Sequence, residues 1–453
     1  MNVATPVNSQ SYKSAAASVF IPLAFVLVLT GEYLADVGFP HLFTYAPELC
    51  GVFASMLLVM LVVRNGLAPI PASIWIVLFL ISLHLVFGIL ANHVQVGTAM
   101  IGGRIYLRTM PFFLLPLAAI PSSRELIVQF RVLIILGLLQ LPIAIHQRLS
   151  TMNRTDLTTV KYLTSGDLTY GTLMNSAILS LFLICLASVV FVVFLRKRMN
   201  GLVTLALLAA LLFPTTINET KATAFILPMV ILILVLFAPR RKKGKSLLLA
   251  AGTIAAFLVI FIPISDYLVM PRWGYGFVDF LTMPGRVEGY LMKNAEVGTT
   301  GPVGRIDAIV LPLTEFKNDP VKMTLGLGMG SLTESSFGVQ YAGEYAAQFG
   351  ALMGPTVSRL LWETGCLGLL LVTVLLYLIF DAARRLRHSE LPIGFLSHAW
   401  VGIVPVMFVG MFYKDIMNHP TLGILFWYYS GVVVVYASIS QTRRPGILLG
   451  KNS

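Results

Sequence analysis

The chain has 453 residues, of which 57% are hydrophobic and 11% are charged, and its formal net charge is +12. Because a soluble domain carries about 25% charged residues, this composition excludes an ordinary soluble protein and indicates a polytopic helical membrane protein. The basic residues cluster at the ends of apolar segments, as the positive-inside rule describes, so the net charge does not predict a nucleic-acid partner.

Twelve apolar segments are long enough to cross a bilayer, and the sequence therefore predicts an all-α polytopic membrane protein with about 12 transmembrane helices. They cover residues 18–36, 44–63, 70–91, 97–120, 126–146, 173–195, 200–217, 221–238, 247–265, 357–380, 393–412 and 421–438. The fourth segment is unusual because Arg104 and Arg108 lie in its first half. The first segment shows no small-residue cleavage site, so we expect it to be retained.

The side of the membrane on which each loop lies is predicted from the basic residues. If the N-terminus is cytoplasmic, the strongest basic clusters all fall on the cytoplasmic side. These clusters lie at residues 64, 124, 196–198, 240–245, 384–387 and 443–444. We therefore expect both termini in the cytoplasm and one large extracytoplasmic loop between the ninth and tenth helices.

The large loop divides the chain into a membrane bundle of nine helices (1–265), the loop itself (266–356), and three last helices with a cytoplasmic tail (357–453). Residues 265–356 hold 9 of the 20 acidic residues and 14 of the 37 glycines, so this segment is polar and net acidic. Helical spacing predicts a helix over 305–317 that Pro312 kinks or splits. The glycines of GLGMG (326–330) predict a turn or a close approach of two backbones.

Ionisable residues in or beside a membrane are costly and usually have a partner or a function. In GGRIYLR (102–108), Arg104 and Arg108 share one helical face. Two guanidiniums on one face form a candidate clamp for a phosphate-type anion, since each donates hydrogen bonds in pairs and stays charged. The alternative is that both side chains extend to the outer lipid headgroups.

Two further stretches place charges next to apolar helices. In NETKAT (218–223), Glu219 and Lys221 lie in a hairpin between predicted spans. Lys221 opposes the dipole of the helix that follows, which favours a nearby anion, either Glu219 or a ligand. In GPTVSRLLWETGCLG (354–368), Arg359 and Glu363 stand four residues apart. They form either an internal ion pair or part of a polar cavity.

The remaining candidates are single residues. Arg286 and Arg305 each follow a glycine in the large loop and are either anion ligands or solvated side chains. His84 and His398 lie within predicted spans, where they carry protons or simply hydrogen-bond helices together. The three cysteines suit buried apolar positions, and no residue spacing predicts a metal site.

Several of these stretches resemble the O-antigen polymerase and ligase superfamily, in particular its exopolysaccharide polymerases. The predicted architecture is similar, with about twelve spans and one large outer loop before the last helices. The similar motifs are GTLMNSAILS (171–180), NETKAT, and the region from Gly304 and Arg305 through GLGMG to LLWETGCLG (360–368). Ligases of the superfamily carry a histidine shortly before the glutamate of this last motif. No histidine occurs between Ser331 and Arg387, which favours a polymerase and leaves the catalytic base open.

The resemblance implies a metal-independent glycosyltransferase of the bacterial inner membrane that uses no cofactor. Such enzymes polymerise oligosaccharide repeat units carried on a polyprenyl diphosphate, such as undecaprenyl diphosphate, at the outer face. They move the growing chain from its carrier onto a sugar hydroxyl of the next lipid-linked repeat. The implied partners are the polyprenyl-diphosphate-linked oligosaccharide, membrane lipid, a chain-length regulator and a flippase.

On this hypothesis, fixed cations stabilise the charge that develops on the leaving diphosphate, and a carboxylate accepts the proton of the attacking hydroxyl. The candidate diphosphate ligands are Arg104, Arg108, Lys221, Arg286, Arg305 and Arg359, and the candidate bases are Glu219 and Glu363. Two alternatives remain open. One is a ligase that uses the same carrier, and the other is a secondary transporter or lipid flippase, which the lack of an internal sequence repeat disfavours.

Overall fold

The computed structural model describes residues 14–152, 169–218, 220–238, 243–273, 276–292, 304–333, 335, 338–346, 354–389 and 392–442. Within these ranges the chain forms seventeen α-helices, two short 3₁₀ turns and no β-strand. The helices are α1 (Ala15–Asp36), α2 (Ala46–Asn65), α3 (Ala72–Ala91), α4 (Val96–Leu107), α5 (Met110–Ala118), α6 (Ser123–Met152), α7 (Ser176–Leu195), α8 (Gly201–Ile217), α9 (Thr223–Leu236), α10 (Lys243–Trp273), α11 (Phe277–Thr282), α12 (Arg286–Leu291), α13 (Arg305–Glu315), α14 (Pro320–Leu325), α15 (Thr356–Leu386), α16 (Pro392–Tyr413) and α17 (Pro420–Thr442).

Nine helices of the described ranges are long and apolar enough to cross a membrane, namely α1, α2, α3, α6, α7, α10, α15, α16 and α17. The apolar helices α8 and α9 are shorter. The outer helices also expose large apolar side chains: Phe53, Met56 and Val63 of α2 are all more than half exposed. A long apolar helix with an apolar outer surface is stable in lipid, where its backbone groups are paired internally. The protein is therefore an all-α, multi-pass membrane protein.

The central helix of the bundle is α17, which packs against α1, α5, α15 and α16. Its Tyr429 contacts Phe25 of α1 and Trp400 of α16, and it stacks on Phe130 of α6. Helices α7 and α16 are also largely buried. The turn at 414–419, which leads into α17, consequently lies among several helices rather than at the rim of the bundle.

The connections between helices gather at the two opposite ends of α15 and α17. At one end, Arg196 donates hydrogen bonds to the carbonyl oxygens of Ser389 and Gly394, and the Tyr436 hydroxyl donates to Pro121. At the other end, the turn at 414–419 meets the start of α15 and the junction of α4 and α5. Most of the predicted site residues lie at this second end.

The predicted fourth span is divided into two helices. Helix α4 ends at Leu107 and α5 begins at Met110, with Arg108 and Thr109 between them. Pro111 lies in the first turn of α5, where its missing N–H removes no intrahelical hydrogen bond. The physical reason for the break is thus the arginine and the proline that interrupt the apolar run.

Helix α15 is broken at Gly365, whose backbone is left-handed with φ of 62°. The carbonyl oxygens of Trp362 and Glu363 instead accept hydrogen bonds from the N–H groups of Leu327 and Gly328, at 2.7 and 3.1 Å. The GLGMG stretch is therefore confirmed as a close approach of two backbones. A helix also forms in the stretch 305–317, as α13, but it ends at Glu315 and is not split at Pro312, which lies within it.

Candidate active site

Arg108 lies at the junction of α4 and α5. Its Nη1 donates to Glu48 Oε1 of α2 at 2.8 Å, and its Nη2 donates to the Asn418 carbonyl oxygen at 2.5 Å. Its Nε is buried and has no hydrogen-bond partner among the described residues. Arg104, one helical turn earlier, is close enough to act on Arg108 electrostatically. A ligand that accepts a hydrogen bond would satisfy the Nε, because a buried unpartnered donor is costly.

Arg359, in the first turn of α15, forms an ion pair with the turn before α17. Its Nε lies 3.0 Å from Asp415 Oδ2, and both side chains are mostly buried. The other oxygen of Asp415 accepts from the Thr356 hydroxyl at 3.2 Å and from the Asn418 amide at 2.9 Å. Asp415 is thus held in place, and it fixes Arg359. The Nη1 of Arg359 is buried without a hydrogen-bond partner in the described part of the chain.

Glu363 is not the ion-pair partner of Arg359, although the two stand four residues apart on α15. Glu363 is 1% exposed. Its Oε2 accepts from the Tyr106 hydroxyl at 2.6 Å, and its Oε1 accepts from the Thr333 hydroxyl at 3.2 Å and the Leu332 N–H at 3.4 Å. Of the two alternatives, the internal ion pair is therefore wrong, because the carboxylate of Asp415 pairs with the guanidinium instead. Glu363 instead accepts hydrogen bonds from Tyr106 of α4 and from Leu332 and Thr333, which follow GLGMG.

Arg305 lies between two tyrosine rings at the start of α13. Its guanidinium carbon is 4.0 Å from the ring centre of Tyr290 in α12 and 4.7 Å from that of Tyr413 at the end of α16. Its Nε donates to the Tyr413 carbonyl oxygen at 3.2 Å. Stacking fixes the plane of a guanidinium, so the side chain is rigid. Arg286 begins α12, one turn before Tyr290.

The NETKAT stretch has a structural part and a part that faces the loop helices. Asn218 is fully buried and donates to the Ser180 hydroxyl of α7 at 2.7 Å, so it ties α8 to α7. Lys221 places its Nζ 5.2 Å from the ring centre of Phe280, which packs edge-on against Tyr290. Lys221 therefore lies near the aromatic side chains that stack on Arg305. Glu219 lies outside the described residues.

An apolar groove of about 440 Å³ runs beside Arg108 and Arg359. It is bounded by α3, the α4–α5 junction, α15 and α17. Tyr106, Thr356 and Asn418 are among its few polar lining residues. The lining residues Phe79 and Leu107 are more than half exposed on the side of the bundle. The groove thus opens sideways toward lipid, and its polar lining lies next to the residues that hold Arg108 and Arg359.

His419 lies in the turn before α17, close to Arg108 and Lys414. Burial, and then the positive charges of Arg108 and Lys414, lower the pKa of His419 to about 3. This imidazole is therefore neutral at neutral pH and adds no positive charge beside Arg108 and Lys414. Its Nδ1 is buried and has no hydrogen-bond partner among the residues that the structure describes.

The two histidines of the predicted spans make helix-to-helix hydrogen bonds. His84 donates from Nε2 to the Thr364 carbonyl oxygen at 2.7 Å, and His398 donates to the Leu234 carbonyl oxygen at 2.9 Å. His84 thereby supports a carbonyl group next to the break at Gly365. Within the described ranges, no three His, Cys, Asp or Glu residues are grouped as metal ligands.

Sequence reasoning missed the partners of the predicted residues. Tyr106, Asp415 and Tyr413 are the most important of these, because each makes a direct contact with a predicted site residue. The available signal was the density of polar residues in the turn at 413–419, between two apolar helices. For Tyr106, the signal was its position between the two arginines of GGRIYLR.

No protein-family model matches this chain, and no curated protein matches its sequence. The chemistry of the site must therefore indicate what the protein does. The site combines guanidiniums whose N–H groups are not all paired by the described residues, a buried hydrogen-bonded carboxylate and an apolar groove open to lipid. Such a site suits a substrate with an anionic group, a hydroxyl that loses a proton, and a long apolar chain.

Proposed function

We propose that this protein polymerises polyprenyl-diphosphate-linked oligosaccharide repeat units into an exopolysaccharide or O-antigen-type polymer, at the outer face of a bacterial inner membrane. The observation that carries the proposal is the position of Arg108 and Arg359 beside a lipid-facing apolar groove, with Tyr106, which donates a hydrogen bond to Glu363, in its wall. A lipid-linked anionic glycan is a substrate that uses all three features at once.

The diphosphate binds at Arg108 and Arg359 in this proposal. Each arginine is oriented by a carboxylate and keeps one buried nitrogen without a partner among the described residues. When the sugar–diphosphate bond breaks, negative charge increases on the leaving diphosphate. Guanidiniums that are already oriented stabilise this charge without reorganisation, which is the usual source of a large rate enhancement.

The polyprenyl chain lies in the apolar groove in this proposal. The groove opens on the side of the bundle at Phe79 and Leu107, so a lipid enters from the bilayer without crossing water. Burial of an apolar chain against protein gives little hydrophobic free energy relative to lipid, so the groove positions the substrate and the arginines bind it.

The proposed topology has twelve spans, both termini in the cytoplasm, and the large loop outside. Counting α8, α9 and the broken pair α4–α5 as spans, in addition to the nine long helices, gives this number. The arrangement of basic residues supports it, because Arg196, Arg384 and Arg387 then lie at the cytoplasmic end. Arg305 and Lys221 would lie at the outer end, next to the sugar.

The test uses the full-length protein in liposomes. The probe is the glycolipid fraction extracted from host cells that lack this chain, in which unpolymerised lipid-linked repeats accumulate. The products are separated on a carbohydrate gel, without nucleotide sugar or ATP. We expect a ladder at multiples of one repeat, and we expect Arg108→Ala and Arg359→Ala proteins, inserted normally, to lose the long products.

Three other results would contradict the proposal. Transfer of the glycan only after a lipid A-core acceptor is added would identify a ligase. Movement of labelled glycolipid between the leaflets of a sealed vesicle, with no change in glycan length, would identify a flippase. A folded protein that gives no ladder in the presence of the complete glycolipid fraction would exclude the polymerase.

A further inference from the structure

Glu363, the carboxylate nearest to the proposed reaction, does not line the groove. It is 1% exposed and is enclosed by Tyr106, Thr333 and Leu332. Tyr106, by contrast, lines the groove and at the same time donates its hydroxyl proton to Glu363 Oε2 at 2.6 Å. Of these two residues, Tyr106 and not Glu363 is therefore the one exposed to the groove.

We propose that Tyr106 relays the proton of the acceptor sugar hydroxyl to Glu363. This inference rests on the proposed polymerase function and adds a residue to it. The acceptor oxygen forms a bond to the donor's anomeric carbon, and the bond from that carbon to the diphosphate oxygen breaks. The diphosphate leaves with the electron pair. The acceptor proton passes to Tyr106 Oη while the Tyr106 proton passes to Glu363 Oε2.

The hydrogen bonds around Glu363 suit this role. Thr333 and Leu332 donate to Oε1, which leaves Oε2 to Tyr106. The carboxylate is thus held with one oxygen aimed at the phenol. After transfer, the proton returns from Glu363 through Tyr106 to solvent or to the departed diphosphate, and the pair is reset.

Tyr106 also lies within reach of the anion site. Arg359 is close enough to act electrostatically on both Tyr106 and Glu363. A phenol that transiently carries more negative charge is stabilised by this guanidinium.

The experiment compares variants in the liposome assay with the same extracted glycolipid fraction. Tyr106→Phe removes the hydroxyl and keeps the ring, and Glu363→Gln keeps the shape of the carboxylate. We expect each to slow ladder formation by about 100-fold or more, as for the loss of general base catalysis. Because both residues act on one proton path, the double variant should be no slower than the slower single variant.

The pH dependence of the rate distinguishes a proton relay through Tyr106 from a purely structural role of this residue. Replacement of Tyr106 by 3-fluorotyrosine keeps the size and the hydrogen bond but makes the phenol more acidic. A relay shifts the pH–rate profile to lower pH, whereas a structural hydrogen bond leaves the profile unchanged. Tyr377→Phe, at an exposed tyrosine of α15, is the control and should behave as the unaltered protein.

The outcomes distinguish this inference from the function on which it rests. If the unaltered protein forms no ladder, both fail. If it forms a ladder and Tyr106→Phe stays within about threefold of its rate, or the fluorotyrosine protein keeps the original pH profile, the relay is wrong and the polymerase assignment stands. Thermal unfolding in detergent checks that each variant is folded.

Discussion

Arg359 pairs with Asp415, in the turn before α17, and not with Glu363, four residues along its own helix. The Nε of Arg359 lies 3.0 Å from Asp415 Oδ2. This pairing leaves Glu363 available to Tyr106, at 2.6 Å. The two carboxylates therefore have different partners: Asp415 pairs with a cation, and Glu363 accepts a hydrogen bond from a phenol. In the proposed mechanism, a direct Arg359–Glu363 pair would occupy both the diphosphate ligand and the base.

The first prediction concerns Asp415→Asn. The variant keeps the shape of the side chain but leaves the mostly buried Arg359 without a carboxylate. We expect the free energy of unfolding to fall by about 1–3 kcal/mol, between the values for surface and buried pairs. Polymer formation should fall as well, because Arg359 is no longer oriented. Thermal unfolding in detergent measures the first effect.

The matched control for Asp415→Asn is Asp319→Asn. Asp319 also pairs with a cation, Lys322, but the Lys322 and Asp319 side chains are 40% and 42% exposed. Asparagine keeps the side-chain oxygen with which Asp319 caps α14, and an exposed ion pair contributes little to stability, so the unfolding midpoint should change little. Equal shifts for the two aspartate variants would show that Asp415 does not orient a buried charge.

The second prediction concerns the break in α15. Gly365 has a left-handed backbone, and a Cβ there would overlap the Thr324 carbonyl group. Gly365→Ala should therefore lower the free energy of unfolding by about 3 kcal/mol through strain and steric overlap together. It should also reduce activity, since Glu363 lies two residues before the break.

Two other glycines serve as controls that test backbone strain and steric overlap separately. Gly285 is also left-handed, with φ of 77°, but has open space around it, so Gly285→Ala should lower the free energy of unfolding by about 1 kcal/mol. Gly354 has open space and no left-handed backbone, so Gly354→Ala should leave the midpoint unchanged. Equal midpoints for the three variants would contradict a tightly packed break.

The helices and the general position of the site could be predicted from the sequence for a simple physical reason. An apolar run of about 20 residues has few stable forms other than a membrane-spanning helix. Charged residues beside such runs are costly, so Arg108, Arg359 and Glu363 stood out. The structure places contacts of all three at the same end of α15 and α17.

The partners of these residues could not be predicted, because they are distant in the sequence. Tyr106 and Glu363 are 257 residues apart, and Arg108 and Asn418 are 310 apart. Local spacing predicted Glu363 as the neighbour of Arg359, but the turn before α17 brings Asp415 to Arg359 instead. The break between α4 and α5 was also missed. Hydropathy averaged over residues 97–120 stays high despite Arg108, so it does not show that a helix ends there.

The third prediction concerns the stacking of Arg305. Arg305→Lys keeps the charge but cannot stack between Tyr290 and Tyr413, so polymer formation should fall by about tenfold. Tyr290→Ala should resemble it, whereas Tyr290→Phe keeps the ring and should retain most of the activity. Lys322→Ala, at an exposed cation of the same loop, is the control. Full activity of Arg305→Lys would show that charge alone matters at this position.

The fourth prediction concerns the apolar groove. Ser82 lines it from α3, and Ser82→Trp would fill part of its volume. We expect KM for the extracted glycolipid to rise by about tenfold or more with kcat largely kept, as for the loss of ground-state binding. Ile76→Trp, at an exposed position of α3 that does not line the groove, should leave both constants unchanged. A rise in KM for both variants would mean that the groove is not the binding site.

The fifth prediction concerns the pH dependence of stability through His419. Its pKa is about 3 in the folded protein, lowered by burial and by the charges of Arg108 and Lys414. In the unfolded chain the same group titrates near its ordinary value of 6.5. The unfolded chain therefore takes up a proton first as the pH falls. The stability due to neutral His419 is complete above about pH 6.5 and decreases from there toward pH 3.

At pH 5 this single group should lower the free energy of unfolding by about 2 kcal/mol relative to pH 7. His419→Gln cannot titrate, so its unfolding midpoint should change less between pH 7 and pH 5 than that of the unaltered protein. If His419→Gln instead follows the unaltered protein across this range, the acid sensitivity comes from other groups, and His419 is not held neutral beside Arg108.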